Sequence, residues 1–316
     1  MLNKDHLSYK FYAPMISLVI ILAVYLIYLG QLKSVKTDTL VSPLALAQNQ
    51  TDSFTDINLF AKSAIVWDTN ERRVIYSHNP DMVMPLASLA KIMMAVTAES
   101  LLPKNTVVTI RPEFLEEEGD NGLVANENWK LKDLLDFSLV TSSNDGARAI
   151  ASVAGAINAG VSSYDVGRKD FVAEMNKKAK KIGLTSMYFT NENGLDSNES
   201  LGGAYGTVRD VAKLFDYTLR NNPQLLISTK NSSLKVTSLS NVAHKVNNTN
   251  TDIDKIPGIM GSKTGFTSLA QGNLAIIYDS SLGQPLIISV LGSTAEGRFT
   301  DVRALVSASK KYLETR

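Results

Sequence analysis

Ser88-Leu89-Ala90-Lys91-Ile92-Met93-Met94-Ala95-Val96-Thr97-Ala98 is an apolar, strongly helix-forming run that opens on a serine and carries one lysine in its first turn. Pro85 stands just upstream, so the helix is expected to start close to Ser88. Residues three apart share a helix face, which sets the Lys91 amine one turn above the Ser88 hydroxyl. The unpaired amides of the first turn favour negative charge developing beside them. An exposed lysine titrates near about 10.4 and is a poor base at neutral pH, so Lys91 needs burial and nearby cations to lower that value. The apolar flanks predict such burial.

Two more motifs follow in order, Ser142-Ser143-Asn144 and Lys263-Thr264-Gly265. Each is weak alone. Ser-x-x-Lys recurs at Ser232/Lys235 and Ser307/Lys310, and Ser-x-Asn recurs at Ser77/Asn79. Lys-Thr-Gly occurs once, yet chance would place a given tripeptide in roughly one chain in fifteen of this length. Context separates the candidates: Ser307/Lys310 lies in a polar helix expected over Phe299 to Leu313, with Lys310 and Lys311 facing water.

The second motif falls between a helical pattern from Trp129 to Val140 and an Ala-rich helix expected from Asp145 to about Ala156. A short loop pinned at both ends holds Ser142 to relay a proton. Asn144 would donate to a substrate carbonyl while accepting from a lysine. Ordinary helix capping is the competing reading. The third motif reads as part of a strand ahead of two β runs, Gly272 to Tyr278 and Pro285 to Leu291, joined by a turn at 279–284. There Lys263 and Thr264 would hold a substrate carboxylate and Gly265 would let a backbone approach closely. The Phe266 amide, with that of Ser88, would form an oxyanion hole.

With the three motifs in register, the chain resembles the penicillin-recognising serine enzymes, and most of all the low-molecular-mass serine D-alanyl-D-alanine carboxypeptidases. The likeness covers about residues 58 to 316. Ala64 to Tyr76 is similar to the family's hairpin ahead of the nucleophile helix, and Asn191-Glu192-Asn193-Gly194-Leu195, followed by a helix from Thr207, to its Asn-x-x-Gly-Leu segment. The resemblance implies an α/β (α+β) sandwich: an antiparallel sheet from both chain ends, flanked by helices, with an inserted, mostly helical lobe. It implies Ser88 as acyl-ester nucleophile, Lys91 as its base, Ser142 and Asn144 as relay and binding pair, and Lys263 as substrate-binding lysine. Arg298, just before the last helix, matches a place where relatives keep a cation for the substrate's terminal carboxylate. Peptidoglycan stem peptides are the implied substrate, β-lactams the implied inhibitors, and no cofactor is implied. A DD-endopeptidase would use the same residues. A β-lactamase would need a deacylating carboxylate, for which Glu192 is the nearby candidate, and a non-enzymatic wall-binding protein would be expected to lose Ser88 or Lys91.

Many relatives carry a C-terminal β domain and an amphipathic membrane helix, which this sequence does not show before Arg316. Membrane attachment is instead expected from Phe11 to Gly30, twenty uncharged residues spanning about 30 Å as a helix, after a short segment 1–10. Small residues that would suit signal cleavage come late, at Ala45-Leu46-Ala47, so an uncleaved single-pass anchor in a bacterial membrane is expected. Residues 31–57 then form a linker to an extracytoplasmic catalytic domain at 58–316. The net charge of +1 argues against an electrostatically driven nucleic-acid binder. No cysteine is present, which removes thiol catalysis and Cys-zinc sites. The three histidines His6, His78 and His244 come with no Gly-x-Ser-x-Gly elbow and no His-Glu-x-x-His, and read as surface or capping residues.

Overall fold

The computed structural model describes residues 52–119, 122–279 and 283–314. The expected membrane helix at 11–30, the segment before it and most of the 31–57 linker lie outside these residues. Among the described residues no helix is long and apolar enough to cross a membrane. Phe54, from the end of the expected linker, is buried and stacks on Tyr76 with ring centroids 5.1 Å apart. Packing of the folded unit therefore begins ahead of residue 58.

Along the chain, β1 (Ser63–Asp68) and β2 (Arg73–His78) form a hairpin, and β3 (Met84–Pro85) leads into α1 (Ala90–Leu101). Next come β4 (Val107–Thr109), β5 (Asn128–Lys130), α2 (Leu131–Thr141), α3 (Asn144–Ala159) and α4 (Tyr164–Lys181). After β6 (Tyr188–Phe189) and β7 (Ala204–Gly206) follow α5 (Val208–Asn221), the single turn α6 (Gln224–Ile227) and a second hairpin, β8 (Ser233–Thr237) and β9 (Ala243–Asn247). The chain closes with β10 (Ile259–Thr267), β11 (Gln271–Tyr278), β12 (Leu286–Ser293) and α7 (Gly297–Glu314). The main sheet runs β10-β11-β12-β1-β2 with every pair antiparallel. Both chain ends thus build one sheet, and the helix-rich segment between β2 and β10 is the inserted lobe, as expected.

Helices cover both faces of this sheet, which is why β11 is apolar from Leu274 to Tyr278 and β12 is buried along its whole length. Leu274, Ile276, Leu286, Ile288 and Val290 point into a core shared with Phe299, Val302, Leu305 and Ala308 of α7. Ala275, Ile277, Ile287 and Leu291 alternate onto the opposite face, in a core shared with α1 and α5. The α7 residues recur every third position, so one stripe of that helix meets the sheet. Ser307 and Lys310 lie on its outer side and are exposed, in keeping with the sequence reading. Helix α1 is apolar on all sides and buried from Ala90 through Ala98, which places it at the centre of the molecule.

Three boundaries differ from expectation. Trp129 is not helical: Asn128–Lys130 pairs with Val107–Thr109 as a strand, and the helix starts at Leu131. Thr141 is still helical, so the break shrinks to Ser142 and Ser143, with Ser142 left-handed at φ 62° as the C-cap. Helix α3 starts at Asn144 and runs to Ala159, capped by the Ser143 hydroxyl accepting from the Gly146 amide at 3.0 Å. Capping and the second motif therefore coexist, because different residues of the loop carry them.

Helices α3 and α4 cross at two glycines. A Cβ on Gly155 would overlap the Gly167 carbonyl oxygen, and one on Gly167 would overlap the Ala156 amide. Gly167→Ala is expected to destabilise the fold by about 1–3 kcal/mol through overpacking, read as a lowered urea midpoint at unchanged slope.

Candidate active site

Ser88 lies in a 3-10 turn, Ala87–Leu89, that runs directly into α1, half a turn earlier than the helical position expected for it. Ala87 adopts φ +48°, a left-handed conformation costly for a residue with a Cβ. Surrounding contacts hold it there. The Leu86 amide donates to Ala204 O at 2.9 Å, and a Cβ on Gly194 would overlap the Ala87 carbonyl oxygen. Ser88 itself is half-buried.

Lys91 has zero exposure. Its Nζ lies 2.8 Å from Ser88 Oγ, 2.7 Å from Asn144 Oδ1 and 2.9 Å from the Asn193 carbonyl oxygen. Burial lowers its pKa to about 7, against the charges of Glu192 and Glu117, which pull it upward. The expected nearby cations are therefore not what lowers it: the neighbouring charges acting on Lys91 are carboxylates, and desolvation does the work. Asn193 O and Asn144 Oδ1 can only accept. A neutral amine therefore gives them its two hydrogens and turns its lone pair toward Ser88, whose hydroxyl then donates. This is the hydrogen-bond arrangement of a serine about to lose its proton.

The second and third motifs meet at Ser142. Lys263 Nζ donates to Ser142 Oγ at 2.8 Å and to Thr264 O at 2.9 Å, and its side chain is buried. Burial first, then the charges of Lys91 and Arg298, push the Lys263 ammonium well below the usual lysine range. Asn144 departs from expectation in one respect. Its Oδ1 accepts from Lys91 as foreseen, but its Nδ2 donates to Glu118 O at 2.6 Å instead of standing free for a substrate.

Lys263, Thr264, Gly265 and Phe266 lie on β10, the edge strand of the main sheet. A Cβ on Gly265 would come 2.9 Å from Leu86 O and 3.3 Å from the Ser88 amide, so the missing side chain lets the strand press against the Ser88 turn. Thr264 is buried, its hydroxyl 2.6 Å from that of Thr249. Phe266 is half-exposed and, with Leu195 and Leu269, lines a cavity of about 330 Å³ that Glu118, Asp196 and Glu199 also border. Arg298 stands inside α7, not ahead of it, and its Nη1 donates to Gly265 O at 2.9 Å while its Nε is buried without a partner. The structure thus brings every sequence-predicted site residue to one place, from α1, the α2–α3 junction, β10 and α7.

Behind Lys91 is a group that motif reading missed. Asn193 Nδ2 donates to Glu117 Oε2 at 3.0 Å, and Arg168 of α4 reaches Glu117 Oε1 at 2.9 Å and both oxygens of Glu192 at 2.9 and 3.0 Å. Glu192, the candidate deacylating carboxylate, is fully buried in that pair. Only the Asn-x-x-Gly-Leu segment pointed toward this group, since it contains Glu192 and Asn193. His244 is another difference: it is buried against Trp129 and Phe137 and lies 2.8 Å from Glu127, neither a surface nor a capping residue.

Comparison with known proteins agrees with this geometry. The sequence profile of the peptidase S11 family, D-alanyl-D-alanine carboxypeptidase, matches residues 48–295. A D-alanyl-D-alanine endopeptidase of Pseudomonas aeruginosa is 30% identical over 268 residues, 81% of this chain and 78% of its own length. A D-alanyl-D-alanine carboxypeptidase of Mycobacterium tuberculosis is 28% identical over 67% of this chain and 68% of its own. Among solved structures, a D-alanyl-D-alanine carboxypeptidase from Mycobacterium tuberculosis superposes with TM-score 0.71 at 25% identity, over 81% of this chain and 92% of that one. The Streptomyces K15 DD-transpeptidase reaches TM-score 0.73 at 21% identity, over 81% and 99%, and shares the fold. The chain belongs to the S11 family of serine D-alanyl-D-alanine carboxypeptidases.

Proposed function

We propose that this protein is a penicillin-sensitive serine DD-carboxypeptidase that removes the terminal D-alanine from peptidoglycan stem peptides. The observation that carries the reading is a fully buried Lys91 amine 2.8 Å from the Ser88 hydroxyl. Lys91 takes the Ser88 proton as Oγ attacks the penultimate D-alanine carbonyl carbon, forming the C–O bond. The amides of Ser88 and Phe266 receive the developing oxyanion. The C–N bond then breaks as the proton taken by Lys91 passes by way of Ser142, which is bonded to Lys263, to the departing D-alanine amine, leaving Lys91 neutral again. Water hydrolyses the ester and returns the proton to Ser88. Lys263, Thr264 and Arg298 recognise the substrate's terminal carboxylate. Asn144 holds Lys91 in place.

A DD-endopeptidase acting on cross-links is the second reading, favoured by the 30% identity to the Pseudomonas aeruginosa enzyme of that name. Glu192 is fully buried and held as an ion pair by Arg168, away from solvent water, which supports a long-lived penicilloyl adduct over β-lactam turnover. The uncharged stretch Phe11 to Gly30 supports a membrane anchor that presents the catalytic domain outside the bacterial cytoplasm.

Incubation of the protein with benzylpenicillin is expected to add one drug mass in intact mass spectrometry, and Ser88→Ala is expected to show none. Adduct on the variant, or fast drug hydrolysis by the wild type, would reject the assignment. Supplied with monomeric pentapeptide and with cross-linked muropeptide, the enzyme is expected to release free D-alanine from the first. Cleavage confined to the cross-linked substrate would select the endopeptidase reading.

The pH dependence has a definite sign. Only neutral Lys91 can accept the proton, so kcat/KM is expected to be level above about pH 7 and to fall tenfold per unit below it. Lys91→Arg, which carries a permanent charge, should lower acylation by roughly 10²–10⁴-fold at pH 8. An unchanged rate in that variant would remove Lys91 from the mechanism.

A further inference from the structure

Among the described residues, Asn193 supplies the one backbone oxygen that hydrogen-bonds Lys91 Nζ, at 2.9 Å. Its side chain is held at both ends. Oδ1 accepts from the Leu195 amide at 2.9 Å, and Nδ2 donates to Glu117 at 3.0 Å. Glu117 belongs to the segment after β4, Glu192 precedes Asn193 directly, and the two carboxylates meet only at the guanidinium of Arg168. Arg168 sits on α4, and α4 is fixed to α3 through the Gly155–Gly167 contact. Helix α3 in turn carries Asn144, the other oxygen on Lys91. Both non-serine partners of the amine are therefore referred to one pair of lobe helices.

From this geometry we infer that Arg168 is a positioning residue of the active site: by clamping Glu117 and Glu192 it fixes Asn193 and sets the charge that Lys91 feels. The inference rests on Lys91 being the proton acceptor. The clamp is unsymmetrical in charge. Two carboxylates share Arg168, and Arg148 lies farther out, 3.4 Å from both Glu117 and exposed Glu116. A net negative influence remains on Lys91 from the lobe, while Lys263, whose own ammonium is disfavoured by Lys91 and Arg298, lies on the sheet side. A lysine of zero exposure without that negative influence would be driven further toward the neutral form, and one facing both carboxylates without Arg168 would be held protonated.

Two substitutions should therefore move the active site in opposite directions. The rate of acylation by a chromogenic or fluorescent penicillin, measured on the full chain from pH 5 to 9, reads the acid limb. Arg168→Met frees both carboxylates of their counter-charge and should shift the limb up by about one pH unit. Glu192→Gln removes one carboxylate at constant shape and should shift it down by a comparable amount. The double variant should return it close to the wild-type position. Glu192→Gln keeps the same volume and removes a buried charge, so it remains informative should Arg168→Met unfold. Loss of rate at every pH with the limb unmoved in both single variants would make Arg168 a simple staple of the lobe and overturn the inference. Absence of an acid limb in the wild type is a different result, and it would overturn the role of Lys91 along with the inference.

Discussion

A lysine amine enclosed without exposure to water is the constraint on which the site depends. Moving Lys91 from 10.5 to about 7 corresponds to about 5 kcal/mol against its charged form. That energy must come from the surrounding fold, which is why the amine lies on α1, the most deeply buried helix. Three oxygens from three separate segments close around it. Ser88 comes from the preceding turn, Asn144 from the start of α3 and Asn193 from the loop after β6. Each is short-ranged, so a shift of any of these elements by about an ångström would break a hydrogen bond near its limit. Catalytic geometry and lobe packing are one problem in this molecule.

The strained turn at Ala87 belongs to the same problem. A left-handed alanine persists only where its surroundings fix it. Here Gly194 and Gly265 let two chain segments close on it from opposite sides, one from the lobe and one from the sheet. Asn193, which holds Lys91, is the neighbour of Gly194, and Lys263 is two residues from Gly265. The groups that pin the serine turn are thus on the segments that carry its chemistry. Side chains at either glycine would move Ser88, Lys91 and Lys263 apart together.

Much of this was legible from the sequence because it is written in local patterns. The apolar run after Ser88 predicted a buried helix, the runs at 272–278 and 285–291 predicted two strands joined by a turn, and three ordered motifs predicted one site. What was not legible depends on distant partners. Trp129 continues the helical spacing of α2, but pairing with Val108 across twenty-one residues holds it in a strand. The Lys91 contact to Asn193 uses a backbone carbonyl, which leaves no trace in residue type. Arg168, Glu117 and Glu192 are ordinary charged residues in sequence, separated by 24 to 76 positions from the groups they bind. The pairing of His244 with Glu127 spans 117 positions, and nothing local distinguishes it from a surface histidine.

The cations of the site bear on how substrate engages it. Lys91, Lys263 and Arg298 converge where burial opposes charge, and on Lys263 the charges of Lys91 and Arg298 add to the effect of burial. A ligand carboxylate beside Lys263 and Arg298 would reverse that, because an opposite charge within a few ångströms favours the ammonium. Lys263 would then be charged with ligand in place, and a charged Lys263 facing Lys91 presses the latter toward neutrality. On this argument, recognition of the terminal carboxylate and activation of Ser88 are coupled through one lysine pair, and a peptide lacking that carboxylate would lose rate as well as affinity.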